Sequence, residues 1–186
     1  MKKLIAIITL SLLLSPVAMA KEIAGINYDD KISVLNKNLV LNGVGIRKKA
    51  FIKVYTCGLY LQSKNSDGES IINADEPMAI KLVVTTKLVT KEKMQKAMTE
   101  GFEKSTNNNL APLKDRIDRL NSFFNDEITK KDLFMMIYKP GTGVIIKKNG
   151  IKKGEISGFD FKKALFGIWI GKEPIDKKLK KKMLNL

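Results

Sequence analysis

The chain of 186 residues contains no histidine and only one cysteine, Cys57. The lack of histidine excludes Ser-His and Cys-His catalysis, histidine metal ligands and a histidine pH switch. A single cysteine cannot form an internal disulfide or a multi-cysteine zinc site. Cys57 lies within an apolar run, so we expect it to be a small buried side chain. We therefore expect neither a metal ion nor a cofactor.

Long apolar runs are also missing, except at the N-terminus. There, Lys2 and Lys3 precede the apolar stretch Leu4–Leu14, and Ala18-Met19-Ala20 places small residues before a cleavage point. This is the pattern of a secretory signal peptide, and it is too short to span a hydrocarbon core of about 30 Å. We expect cleavage before Lys21, a periplasmic location, and a soluble mature chain with one domain over residues 21–186.

The chain is strongly basic, because it has 34 basic and 19 acidic residues and a net charge of +15. Only three of the basic residues are arginines, namely Arg47, Arg116 and Arg119. A lysine excess of this kind is typical of solvated faces. Export argues against nucleic acid as a partner, whereas a peripheral contact with an anionic membrane stays open.

The apolar periodicity predicts an α+β fold, an antiparallel sheet with helices covering one face as in an open-faced β-sandwich. Predicted strands are Ile23–Tyr28, Ile32–Leu35, Asn38–Leu41, Phe51–Leu61, Met78–Thr86, Leu133–Tyr138, Val144–Lys147 and Ile151–Ile156. Predicted helices are Lys91–Lys104 with Thr90 as N-cap, a second beginning near Pro112, Phe159–Ile170, and a last one capped by Asp176.

The block Leu39–Leu61 carries the most informative pattern. In its second half, Phe51–Leu61, side chains alternate with period two, and both faces carry apolar residues. This predicts a strand in the middle of the sheet, covered on both sides. Gly43 and Gly45 predict a bend or bulge at which the backbone takes a positive φ. They do not form a phosphate-binding loop, since no third glycine, no Lys-Ser/Thr pair and no helix follows.

Two segments resemble the chalcone isomerase family, and in particular its bacterial exported chalcone isomerase-like branch. The first is GVGIR at residues 43–47 followed by KVYTCGLYL at residues 53–61. The second is FKKALFGIWIGKEP at residues 161–174, followed by Leu179 and Met183-Leu184. The resemblance extends over Ile23–Leu186. It implies the chalcone isomerase fold, with a sheet and a helical layer.

Arg47 is the leading candidate for a binding residue, because a guanidinium offers a planar fork of donors that matches a carboxylate. The resemblance implies that Arg47 and Tyr55 match an arginine and a strand tyrosine that hold the carboxylate in fatty-acid-binding members. Eight residues separate the two, about 26 Å along a straight strand. They can therefore meet only if the chain reverses between them, for which Lys48-Lys49 is a candidate turn.

Two positions depart from the flavonoid-cyclising members of the family. Thr90 matches the position of their catalytic tyrosine and lacks a phenol. Ala97 matches an asparagine and cannot make a side-chain hydrogen bond. No catalytic residue is assigned.

We therefore expect a monomeric, non-catalytic binder of a lipophilic small molecule bearing a carboxylate, such as a fatty acid. Two alternatives stay open: an isomerase of the intramolecular-lyase type acting on another substrate, and a periplasmic protein-interaction module that uses the basic face. An elongated apolar pocket ending at Arg47 favours the binder. A polar, open cleft favours the isomerase, and the absence of a cleft favours the interaction module.

Overall fold

In residues 20–186, seven consecutive strands form one antiparallel sheet in which each strand pairs with its neighbours along the chain, and two earlier strands form a separate hairpin. A computed structural model describes residues 20–186, so the predicted signal peptide lies outside the described residues apart from Ala20. The strands are β1 (Lys21–Ile23), β2 (Ile26–Tyr28), β3 (Lys31–Val34), β4 (Lys37–Lys49), β5 (Ile52–Leu61), β6 (Met78–Val84), β7 (Leu133–Lys139), β8 (Gly143–Lys148) and β9 (Ile151–Ile156).

Within residues 20–186, five α-helices and one 3₁₀ turn complete the fold. The helices are α1 (Gly68–Asn73), α2 (Lys91–Ser105), α3 (Lys114–Ser122), α4 (Phe159–Ile170) and α5 (Lys177–Met183), and the 3₁₀ turn is Ala111–Leu113. Thr90 and Asp176 are the N-caps of α2 and α5, as predicted. The six-residue helix α1, which begins after its N-cap Asp67, was not predicted. None of the helices in residues 20–186 combines the length and hydropathy needed to cross a bilayer.

The main hydrophobic core lies between the sheet and the helical layer. Tyr55, Cys57 and Leu59 of β5 point into it, and the apolar helix α4 packs there with all but a few of its side chains buried. Cys57 is fully buried, in agreement with the sequence, and burial raises the pKa of its thiol. The α+β fold with one helix-covered sheet face is therefore confirmed.

A smaller core lies on the opposite face of the sheet. Tyr28 and Tyr60 are fully buried there. The hairpin β1–β2 covers this face, and its turn residues Ala24 and Gly25 both have positive φ. The prediction of one strand over Ile23–Tyr28 was therefore wrong, because a two-residue turn with positive φ splits it into a hairpin.

Strand β4 continues without interruption through the region that was predicted to bend. Gly43 and Gly45 lie within this strand, and neither has a positive φ. Instead, α5 crosses them so closely that a Cβ atom at Gly43 would lie 2.2 Å from the carbonyl oxygen of Lys182. A Cβ at Gly45 would lie 2.8 Å from the side chain of Leu179. The glycines are therefore required for helix-on-strand contact rather than for backbone conformation, which corrects the prediction.

The predicted bulge is present, but Asn42 forms it. Leu41 pairs with Tyr60 and Gly43 with Leu59, so Asn42 is the extra residue of β4. Its side-chain amide donates to the carbonyls of Asn65 and Met183, both at 2.9 Å. A buried polar side chain thereby ties the sheet to the C-terminal end of α5.

Candidate functional site

A cavity of about 490 Å³ lies between the tip of the β4–β5 hairpin and the first turns of α2. Its wall is mostly apolar and is formed by Ile52, Val54, Val89, Met94, Ala97 and Ile175. Arg47 and Tyr55 also line it. An apolar cavity of this size with a few polar groups is typical of a small-molecule site.

A second bulge brings Arg47 and Tyr55 together. At the hairpin tip Lys48 pairs with Lys53, whereas the next pair along the ladder is Arg47 with Tyr55. Val54 is therefore the extra residue of β5. Without this bulge Arg47 would lie opposite Val54, and a one-residue slip in register moves a side chain to the other face of the sheet. Directly opposed residues have Cβ atoms about 5 Å apart.

The Arg47 guanidinium is only partly engaged by protein groups. Its Nη1 donates to the carbonyl oxygen of Ile175 at 2.7 Å and lies 3.3 Å from the Asp176 carboxylate. Within residues 20–186, its Nη2 and Nε make no hydrogen bond, and 21% of the side chain is exposed. By contrast, Arg116 uses both terminal nitrogens on Asp160, at 2.7 and 2.6 Å. Arg47 thus keeps donors available to a ligand.

Tyr55 places a hydroxyl beside the guanidinium. Trp169 Nε1 donates to the Tyr55 oxygen at 3.1 Å, which fixes the position of the phenol. Among the described residues the Tyr55 O–H has no acceptor, so its proton can be donated to a ligand oxygen. Burial raises the pKa of Tyr55 well above its ordinary value, and the nearby Arg47 charge opposes this only in part. The phenol therefore remains a neutral donor at physiological pH.

The rim of the cavity is positively charged. Lys49, Lys93 and Lys96 line it in addition to Arg47, against one acidic residue, Glu100. Such a rim favours an anionic head group by its summed potential. The wall and the rim together suit a molecule with an apolar body and one negative end.

Of the two residues that depart from the cyclising enzymes, Ala97 lines this cavity and Thr90 lies next to its lining residue Val89. Thr90 caps α2, and its hydroxyl oxygen accepts from the backbone N–H of Lys93 at 3.3 Å. Ala97 contributes a methyl group to the cavity wall. Neither provides an acid, a base or a positioning hydrogen bond at these points.

Sequence reasoning missed two further side chains of the site. Asp176 was recognised as a helix cap, and its Oδ1 accepts from the N–H groups of Lys178 and Leu179, while Oδ2 faces Arg47. Trp169 was seen only as part of the helix pattern. No local signal connects either residue with Arg47, because both lie more than 100 residues away along the chain.

A second cavity, of about 390 Å³, lies at the C-terminal end of α2. Its charged lining is balanced and consists of Lys104, Lys163, Lys172, Glu69, Asp160 and Glu173. It lacks the apolar wall and the one-sided charge of the first cavity, which is therefore the stronger candidate site. In residues 20–186 no cluster of three acidic or cysteine side chains is arranged to hold a metal ion.

Comparison with known proteins agrees with this description. A family model described as chalcone isomerase-like matches residues 20–185. The structure is similar to the crystal structure of a fatty-acid binding protein from Arabidopsis thaliana, with a TM-score of 0.69 and 19% sequence identity. The similarity covers 87% of this chain and 93% of the plant protein, so the two share their fold. No curated protein matches the chain significantly.

Proposed function

Because the chain belongs to the chalcone isomerase-like family, we propose that it is an exported, periplasmic binder of a lipophilic carboxylate such as a fatty acid, without a catalytic role. The acyl chain occupies the cavity below α2, and the carboxylate lies against Arg47 and Tyr55. The plant protein of the same fold is a fatty-acid binding protein, which supports this ligand class. Export rests on the N-terminal sequence pattern, Lys2 to Ala20.

The observation that carries the proposal is a group of three donor atoms without acceptors among the described residues, at the end of an apolar cavity. Nη2 and Nε of Arg47 and the O–H of Tyr55 have no acceptors within residues 20–186. These donors are free to bond a ligand that supplies oxygen atoms at this point. A carboxylate supplies two, and charge-assisted hydrogen bonds are about twice as strong as neutral ones.

The same geometry argues against flavonoid cyclisation. General acid–base groups and positioning groups each contribute about 10²-fold or more to a rate. Thr90 and Ala97 supply neither, so the purified protein should not cyclise a chalcone above the buffer rate. Chalcone absorbance at high protein concentration tests this, and a clear rate that Arg47→Ala abolishes would show that the site is catalytic.

Calorimetric titration with dodecanoate and with dodecanol tests the binding role. Arg47→Ala should weaken dodecanoate binding by roughly 10- to 100-fold, since one charge-assisted pair contributes about 1.5–3 kcal/mol. Dodecanol binding should change far less, because its apolar burial, about 0.8 kcal/mol per CH₂, is retained. Arg47→Lys should restore only part of the loss, since an ammonium lacks the bidentate fork.

Arg119→Ala is the matched control, because Arg119 is an exposed arginine on α3 that does not line the cavity. It should leave both affinities unchanged. Equal losses for acid and alcohol in Arg47→Ala would show that Arg47 is structural. Failure of the unmutated protein to bind either ligand would refute the proposal as a whole.

A further inference from the structure

The mouth of the candidate cavity is surrounded by exposed apolar side chains. Phe51, at the tip of the β4–β5 hairpin, is fully exposed at 101%. Ile52 next to it is 43% exposed, and Leu88, in the loop before α2, is 53% exposed. Half of the six large apolar side chains that are exposed in residues 20–186 thus border one opening.

Lysines flank these apolar residues on both segments. Seven exposed lysines fall within residues 48–53 and 87–96, namely Lys48, Lys49, Lys53, Lys87, Lys91, Lys93 and Lys96. Glu92 is the one acidic residue in these two segments. In the part of the chain that the structure describes, only Lys91 makes an ion pair here, at 3.9 Å with Glu92. The positive charge at the mouth is therefore almost uncompensated.

The β8–β9 hairpin provides the contrast. Its Ile151 is 71% exposed and also sits among lysines. Those lysines are neutralised, however, because Lys148, Lys152 and Lys153 pair with Asp132, Glu155 and Asp126 respectively. In residues 20–186, the tip at Phe51 therefore combines unpaired lysines with a cavity opening, whereas these three lysines beside Ile151 are paired.

We propose that the cavity mouth docks on an anionic lipid bilayer. Phe51 and Leu88 enter the boundary between head groups and acyl chains, while the unpaired lysines contact anionic head groups. An apolar tip with a lysine-rich surround is the combination that binds such interfaces. If the proposed function holds, docking opens the cavity toward the phase in which lipophilic carboxylates dissolve. The docking itself does not depend on the proposed function.

Co-sedimentation with vesicles tests the inference on residues 21–186, which contain every described element and lack the apolar N-terminal run that would itself bind lipid. We expect binding to phosphatidylcholine vesicles that contain phosphatidylglycerol, weak binding to pure phosphatidylcholine, and loss of binding at high salt. Phe51→Ala should weaken binding to the anionic vesicles by about tenfold. The pair Lys48→Gln and Lys53→Gln should weaken it by about tenfold as well.

Neither Phe51 nor these two lysines lines the cavity, so the variants should keep the dodecanoate affinity in solution. Ile151→Ala is the matched control, and it should change vesicle binding by less than about twofold. Three results would overturn the inference: no binding to anionic vesicles, an equal loss in Ile151→Ala, or a Phe51→Ala protein that binds vesicles normally. Phe51-dependent capture by a polyanion or a protein without vesicle binding would overturn it too. Vesicle binding without dodecanoate binding would refute only the proposed function.

Discussion

Arg47 and Lys162 lie at opposite ends of the helix-covered sheet face, and the two cations are used differently. Arg47 lies near the Val84 end of β6, where only its Nη1 is bonded to the protein. Lys162 of α4 lies near the Met78 end and is completely buried. Its Nζ donates to the carbonyl oxygens of Ile71, Ile72 and Ala74, at 3.0, 2.7 and 2.8 Å.

This difference shows how a structural cation can be told from a binding one. The Lys162 ammonium has three donors and uses all three on the C-terminal end of α1, between the rings of Tyr138 and Phe159. It therefore has nothing left for a ligand. Arg47 has five N–H donors, and most of them make no bond to the described residues and are available in the cavity. Burial alone would have pointed to Lys162 as the functional residue, whereas the donor count points to Arg47.

Removing the buried cation should have the largest effect. In Lys162→Met, two buried carbonyls and one partly buried carbonyl lose their donor. The free energy of unfolding should therefore fall by about 2–4 kcal/mol. Urea unfolding measures this, and dodecanoate affinity of the folded fraction should stay within twofold. Lys163→Met is the control, since the neighbouring lysine is partly exposed and its ammonium lies over the Phe159 ring. A stable Lys162→Met protein with lost ligand affinity would reverse the assignment of the two ends.

The pH dependence of stability should differ between the same two proteins. Burial lowers the pKa of Lys162 to about 8, while Asp75 and Glu76 oppose the shift and Lys163 adds to it. The unfolded chain, with an ordinary pKa near 10.4, then binds more protons than the folded chain above about pH 8. By linkage, wild-type stability should rise relative to Lys162→Met between about pH 8 and 9.5, by at most about 2 kcal/mol.

Urea unfolding across this window measures the difference between the two proteins. Taking the difference removes the contributions of Tyr28, Tyr55 and Tyr60, whose pKa values are raised by burial in both proteins. A flat difference across the window would mean that Lys162 titrates like an exposed lysine.

Neutralising the Asp176 carboxylate beside Arg47 should strengthen ligand binding at the Arg47 cavity. Asp176→Asn keeps an oxygen that can accept from the N-terminal N–H groups of α5, because asparagine is as good an N-cap as aspartate. It removes the carboxylate that competes with a ligand for Arg47 at 3.3 Å. Dodecanoate affinity should rise by about 3- to 10-fold, and dodecanol affinity should not change.

Glu100→Gln tests whether proximity matters in this effect, since it removes another negative charge at the exposed rim without touching Arg47. It should raise dodecanoate affinity by less than about twofold. If both variants gain equally, the effect is one of net charge and says nothing about Arg47.

The smallest effect is expected at Tyr55. Tyr55→Phe removes a neutral donor beside the guanidinium, so dodecanoate binding should weaken by about threefold. Calorimetry against Tyr60→Phe gives the control, because the Tyr60 hydroxyl donates to the carbonyl of Asp29 on the other face of the sheet. Unchanged affinity in Tyr55→Phe would restrict the head-group site to Arg47.

The periodic elements were predictable because their signals are local. The amphipathic spacing in α2, the Asn149-Gly150 turn and the caps Thr90 and Asp176 each depend on a few neighbouring residues. Helix α1 was missed because six residues show too little periodicity, although Asp67 followed by Glu69 is a start signal.

The candidate site depends on features that no local pattern encodes. Arg47 lies opposite Tyr55 because the chain reverses at Ala50 and because Val54 forms a bulge. The bulge determines that the two side chains lie on the same face of the sheet. The sequence marks Gly43 as a position that needs glycine, but the need comes from α5, whose Lys182 lies 139 residues further along the chain. The local sequence therefore predicted most of the elements and pointed to Arg47, and the family resemblance added Tyr55. The long-range contacts determined how these residues are arranged.

The hydrogen bond from Trp169 to Tyr55 has a practical consequence for every binding measurement described above. Trp169 is the chain's one tryptophan, so indole emission from the purified protein comes from a single ring. That ring lies one hydrogen bond away from the phenol at the candidate head-group position. A ligand that accepts a hydrogen bond from the Tyr55 hydroxyl polarises the Trp169–Tyr55 hydrogen bond. It thereby changes the surroundings of the excited indole. Trp169 fluorescence can therefore report ligand binding at the site without a label. The Tyr55→Phe protein, which lacks the hydroxyl, is the control for this signal.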